Sequence, residues 1–183
     1  RHSDGLDGAP VALEDVVATS EDVAAGRHAG SRADPVVVEH AGTLGKGIEI
    51  DAQIGQRISE YIHSGSTLQL GIGGVPDAVL GALKEARDLQ IWSETISDGV
   101  LALERAGALD PDVPVRQSFM MGSDELYAWA DNNPRVSMLR TEHCNSPALI
   151  ARNHAMTSVN GALEVDLHGQ SNASRVKGHI YSG

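Results

Sequence analysis

The segment QIWSETISDGV, residues 90–100, places one carboxylate, Glu94, between apolar residues that read as the end of a buried strand and a Ser97-Asp98-Gly99 turn that opens a helix. Open α/β sheets hold their ligands just beyond such strand ends, so Glu94 can face a crevice; a polar residue on a connecting loop fits the same pattern. A second candidate is GIGGVP, residues 71–76, a glycine-rich turn between a strand and a helix. That geometry gathers backbone N–H groups at a helix N-terminus and favours anions or oxyanions, although a tight turn without a ligand has the same composition. Neither the GxGxxG dinucleotide pattern nor a Gly-Lys-Ser/Thr phosphate loop is present in it.

TEHCNSP, residues 141–147, groups Glu142, His143, Cys144 and Asn145 and invites a Cys-His hydrolase or a metal site. Read as a strand, the segment points His143 and Cys144 to opposite faces, and no second cluster has ligand spacing. Asn145, before Ser146-Pro147, fits better as a cap or as an amide donor aimed into a cleft. EVDLHGQSN, residues 164–172, puts Glu164 and Asp166 on one face of a strand, as either an acid–base pair or a solvated face.

The elements that must position these residues follow from periodicity. Ile50, Ile54, Ile58 and Ile62 recur every four residues, the stripe of an amphipathic helix closing at Ser64-Gly65. TLQLGI then reads as a strand, Gly71 to Gly74 as a turn, and Pro76 as a first helical position. LQIWSE followed by DGVLALERAGAL repeats strand and helix. VRQSFMMG and VSMLRTE read as strands around the helix SDELYAWADNN, SPALIARN as a further helix, and TSVNGALEVDLHGQSN as a hairpin or paired strands turning at Asn160-Gly161. Alternation of this kind predicts an α/β fold: an open, mostly parallel sheet with flanking helices. Residues 1–47, with PVVVEH (35–40) as their one apolar strand, read as a linker or the remnant of an N-terminal domain, and residues 48–183 as the folded unit.

Composition narrows the function classes. Apolar residues make up 41% and aromatics 3%, which predicts an aliphatic core. A formal net charge of −11 with 14 Lys plus Arg argues against a nucleic-acid partner, since phosphate binding needs clustered cations. No apolar run reaches the roughly 20 residues that span a bilayer, so no membrane partner is expected. The single cysteine suits a reducing, cytoplasmic compartment, and the scattered histidines give no support for a metal.

Read in order, LQLGIGGVPDAVL, IWSETISDGV, TEHCNSPALIARN, SVNGALEVDLHGQSNAS and GHIYSG resemble the C-terminal half of the acetyl-CoA hydrolase/transferase family, over roughly residues 50 to 183. The resemblance implies a NagB/RpiA-like CoA-transferase C-terminal domain. It implies that Glu94 attacks an acyl-CoA thioester and passes through a glutamyl-CoA thioester, and that Asn145 orients the carboxylate or its acyl partner. It further implies that Gln69 with the Gly71, Ile72, Gly73 and Gly74 loop lines the pocket for coenzyme A, bound as acyl-CoA substrate beside a small carboxylate. Residues around Gln69, Met120 and Met121 would set the acyl pocket. An N-terminal half of the same enzyme and a homodimer are the partners it implies. In the family, SG runs on into a further glycine loop that helps form the oxyanion hole; here the chain ends at Gly183, so a truncated domain, inactive alone, is expected. Two alternatives stay open: an acyl-CoA hydrolase on the same scaffold, in which water captures the intermediate, and a non-catalytic CoA-binding module.

Overall fold

The computed structural model describes residues 37–38, 44–176 and 179–180. Its centre is a five-stranded sheet of β2 (Thr67–Leu70), β3 (Gln90–Ile96), β4 (Val115–Met120), β5 (Val136–Met138) and β6 (Met156–Val159), in the order β5-β4-β3-β2-β6. All four pairings are parallel. Helices α2 (Gly74–Ala82), α3 (Asp98–Arg105) and α4 (Asp124–Ala130) carry the chain between successive strands, preceded by α1 (Leu44–Ser59). The mostly parallel α/β sheet predicted from the alternation is the observed architecture.

One face of the sheet is the core. Leu68, Ile91, Val115 and Val159 lie under Val75, Val79 and Leu80 of α2 and Val100 and Leu103 of α3, almost wholly removed from water. Each such side chain contributes about 1.5–3 kcal/mol on burial. α1 reaches this layer through Ile54 and Ile58, and lies so close to α2 that a Cβ on Gly55 would stand 2.6 Å from the Ala78 carbonyl carbon. The connection from β5 to β6, by the short helices α5 (Thr141–Cys144) and α6 (Pro147–Ile150), passes the other face, where Trp92 Nε1 donates to the Cys144 carbonyl at 2.8 Å. β6 therefore joins on the far side of β2, and strand order reverses between them.

Small sheets complete the fold: β1 (Val37–Val38) with β7 (Gly161–Ala162), β8 (Glu164–Val165) with β9 (Ser171–Asn172), and β10 (Arg175–Val176) with β11 (His179–Ile180). Three sequence expectations change. Asn160-Gly161 is not a hairpin turn, because β7 leaves β6 to pair in parallel with β1, and the hairpin is β8–β9 instead. VSMLRTE is a strand only to Met138, after which Thr141–Cys144 closes a helical turn. α2 starts at Gly74, so Pro76 is its third residue, still in the first turn where a missing N–H costs nothing. The last residues of GHIYSG, 181–183, lie outside the described residues.

The helix contact gives a paired prediction. Gly55→Val should force α1 from α2 and destabilise by about 1–3 kcal/mol. Gly81→Ala in α2, where a Cβ would meet nothing within 4 Å, should be neutral or stabilising by up to about 1 kcal/mol. Thermal or urea unfolding of the full-length gene product checks both.

Candidate functional site

Ser93 decides where the sheet opens. The β2–β3 ladder runs from Thr67↔Gln90 to Leu68↔Ile91, and the next rung is a side chain. Ser93 Oγ, fully buried, accepts the Leu70 N–H at 3.1 Å and donates toward the carbonyls of Thr95 (2.7 Å) and Leu70 (3.1 Å). Beyond this stitch the two strands carry no further shared rungs. β3 continues along β4 through Thr95↔Phe119 and Ile96↔Met120. Glu94 sits at this divergence, inside the strand and not on a loop, half-buried. Its carboxylate accepts no hydrogen bond and makes no ion pair among the described residues.

The face that Glu94 occupies follows from its neighbours. Leu68 and Ile91 point into the helical core, so Gln69 and Trp92 point the other way. Arg116, paired with Trp92 across β3 and β4, lays its guanidinium 5.7 Å from the indole centroid. One step further along the strands come Asn160, Gly71, Glu94 and Ser118, from β6 across to β4. Ser118 Oγ is buried without an oxygen or nitrogen partner, and the Cys144 thiol lies against it. Burial pushes that thiol above its ordinary value; the Ser118 hydroxyl pulls it back, and the neighbouring Glu94 carboxylate pushes it up again. A thiol held protonated is a poor nucleophile, and Cys144 is fully buried in the packing beneath α5.

α5 also revises the sequence argument about TEHCNSP. His143 and Cys144 occupy a helical turn, not a strand, yet they still part company: His143 is exposed and Cys144 buried. Asn145 is the C-cap, its N–H donating to the Thr141 carbonyl at 2.9 Å, with an exposed side chain one residue from the thiol that faces Glu94.

At the head of α2, Gly71 donates to the Val159 carbonyl at 2.8 Å, Ile72 is 62% exposed, and Gly73 takes φ 136°, a conformation that glycine alone adopts readily. Met121 is exposed while Met120 packs on the core. The Ser97-Asp98-Gly99 turn holds three helices together. Ser97 Oγ donates to Asp77 at 2.7 Å, Asp98 accepts from Ser123 N–H and Oγ–H at the start of α4, and Gly99 lies against Leu80.

Glu164 and Asp166 are both exposed, as on a solvated face. Asp166 caps the β8–β9 turn by accepting the His168 and Gln170 N–H groups, which with the Gln170 bond foremost hold its carboxyl below the usual range, and Glu164 accepts from Asn172. No group of three or more His, Cys, Asp or Glu gathers as a metal site among the described residues, and none of their helices is long and apolar enough to cross a membrane.

Residues 122–183 match the acetyl-CoA hydrolase/transferase C-terminal domain. The chain belongs to the acetyl-CoA hydrolase/transferase family. Over 128 residues it is 40% identical to a 4-hydroxybutyrate coenzyme A transferase of Clostridium kluyveri, covering 67% of this chain and 30% of that protein. Over 142 residues it is 37% identical to a succinyl-CoA:acetate/propanoyl-CoA:succinate CoA transferase of Fasciola hepatica, covering 74% and 30%. The crystal structure of a 4-hydroxybutyrate CoA-transferase from Porphyromonas gingivalis superposes with a TM-score of 0.65 at 38% identity, over 75% of this chain and 36% of that one. The chain thus spans about a third of the length of these relatives of the family.

Sequence reasoning passed over Ser93, Trp92 and Ser118, for which period-two alternation in β3 and β4 was the available signal. It read Asn160 only as a turn residue.

Two outcomes test this geometry. Ser93→Ala strands the Leu70 N–H in a dry site and should cost about 1–3 kcal/mol in urea unfolding. The raised Cys144 thiol makes the folded state bind more protons than the unfolded one, so its contribution is whole below the ordinary thiol value and fades as pH rises past it. Cys144→Ala should flatten that alkaline decline in a pH series of unfolding curves.

Proposed function

We propose that the protein transfers coenzyme A between an acyl-CoA thioester and a small carboxylic acid, with Glu94 as the nucleophile. The observation that carries the reading is a half-buried carboxylate with no hydrogen-bond or ion-pair partner among the described residues, inside a strand where the sheet opens, in a member of a CoA hydrolase/transferase family. A carboxylate that accepts no hydrogen bond from the described residues keeps its lone pairs for an incoming carbonyl, and partial burial strips the water that blunts it.

A Glu94 oxygen attacks the thioester carbonyl carbon, the C–S bond breaks, and CoA thiolate leaves, giving an acyl-glutamyl anhydride. The thiolate then attacks the glutamyl carbonyl of the anhydride and releases the first carboxylate, leaving glutamyl-CoA. The acceptor acid reverses both steps. No external proton or electron is needed, because each thiolate or carboxylate released is matched by one consumed. Asn145, at the end of α5, supplies an amide to orient the carboxylate or its acyl partner. Gln69 and the loop of Gly71, Ile72, Gly73 and Gly74 form the wall toward the CoA and acyl groups. The closed glycine turn lets substrate approach the backbone closely.

Residues 48–183 then act as the catalytic C-terminal domain, residues 1–47 being a linker or the remnant of an N-terminal domain, and an N-terminal half completes the enzyme. The working unit is a cytoplasmic homodimer that uses no metal. Hydrolysis on the same scaffold differs only in letting water reach the anhydride.

The test is denatured intact mass with peptide mapping of the full-length gene product after incubation with acetyl-CoA. A CoA-sized adduct on the Glu94 peptide, absent in Glu94→Ala, is the expected result. Thioester loss that persists in Glu94→Ala without any adduct would assign the chemistry to another residue. No turnover at all would favour a binding module.

A further inference from the structure

On the face of the sheet that carries Glu94, three polar side chains of β2, β6 and the residue after it are tied into a closed network. Gln69 and Ser158 are register partners on β2 and β6. Gln69 Oε1 accepts from Asn160 Nδ2 at 2.9 Å and from Ser158 Oγ, and Gln69 Nε2 returns a hydrogen bond to Asn160 Oδ1 at 3.3 Å. Asn160 Nδ2 also donates to Ser158 Oγ at 2.8 Å. The two carboxamides thus face each other as donor to acceptor twice over. A flip of Gln69 alone would set Nε2 against the Asn160 donor and Oε1 against its acceptor. Of the polar hydrogens on the Gln69 amide, one is spent on Asn160 and one is left.

Location gives this arrangement meaning. Ser158 and Asn160 are exposed, where ordering side chains costs rotamer entropy and hydrogen bonds return little against water. Stability is therefore a weak reason to build it. The network lies at the carboxyl ends of β2 and β6, where the strand order reverses, the position at which open α/β sheets bind ligands. The Asn160 carboxamide also bends over Gly71: a Cβ there would stand 2.9 Å from its Oδ1. That brings the amide cluster across β2 toward the strand that carries Glu94, with no side chain on Gly71 between them.

We propose that Asn160 and Ser158 are positioning residues, which lock the Gln69 carboxamide so that its remaining Nε2–H donates to the acyl oxygen of the thioester attacked by Glu94. The inference rests on the nucleophilic reading of Glu94. Negative charge gathers on that oxygen as the Glu94–carbon bond forms, and a donor already aimed at it needs no reorganisation during the reaction. Ser158 acts by donating to Oε1 and Asn160 by gripping both ends of the amide.

The experiment follows formation of the CoA adduct on Glu94 from acetyl-CoA, by quenched intact mass, in the full-length gene product and its variants, with melting temperatures in parallel. Asn160→Asp replaces the donor to Gln69 Oε1 with an acceptor of the same shape and should slow adduct formation roughly tenfold to a hundredfold with folding retained. Ser158→Ala should slow it less. In a Gln69→Leu background, Asn160→Asp should add about twofold or less, since a residue that acts through Gln69 has nothing left to position. Wild-type adduct rates in Asn160→Asp, or losses that multiply in the double variant, would overturn the proposal. Should Asn160→Asp fail to fold, Ser158→Ala decides, and an unchanged rate there overturns it too. Wild-type protein that forms no adduct while turning over thioester would instead refute the role of Glu94, and this inference with it.

Discussion

A single hydroxyl sets the shape of the site. Where a parallel ladder would run on to the strand ends, Ser93 Oγ takes over the Leu70 N–H and shares its proton between two carbonyls. A buried backbone group must find a partner, and a side chain that supplies one lets two strands separate without leaving that group stranded. Separation is what places Glu94 beside an opening while it stays anchored to β4 through its neighbours in register. The carboxylate thus has the stiffness of a strand and the access of a loop.

The two faces of the sheet divide the labour. One is saturated with Leu, Ile and Val under three helices and carries the folding free energy. The other bears Gln69, Trp92, Glu94, Arg116, Ser118, Ser158 and Asn160, and of its helical cover α5 lies against β3 and β4. Polar side chains survive there because the opposite face has already met the cost of ordering the strands. Buried Cys144, whose carbonyl accepts from Trp92 and whose thiol lies near the Glu94 carboxylate, covers part of this face, and Glu94 itself stays half-buried. A half-buried carboxylate suits a nucleophile that must meet a large thioester yet be screened from water.

Much of the architecture was legible from pattern. Alternating strands and helices, the isoleucine stripe of α1 and the glycine turn before α2 each depend on local periodicity or backbone freedom, which neighbouring residues carry by themselves. The misreadings share one cause. Asn160-Gly161 has the composition of a hairpin turn, but β7 leaves β6 and pairs in parallel with β1. Leu139 to Cys144 could continue a strand on propensity, yet the chain has to turn back across the sheet to reach β6. In each case a partner distant in sequence, or a turn that local types do not specify, outweighed local preference.

By itself, the sequence determined the α/β class, the aliphatic core, the family resemblance and the few residues worth suspecting, since these reside in residue types and short-range spacing. Tertiary structure alone decided that Glu94 lies within a strand at a divergence, that Cys144 is buried against Ser118, and that Gln69, Ser158 and Asn160 share one network across two strands some ninety residues apart. Hydrogen-bond partners and burial are properties of strand order and register. Those emerge only when β6 crosses the whole sheet to settle beside β2.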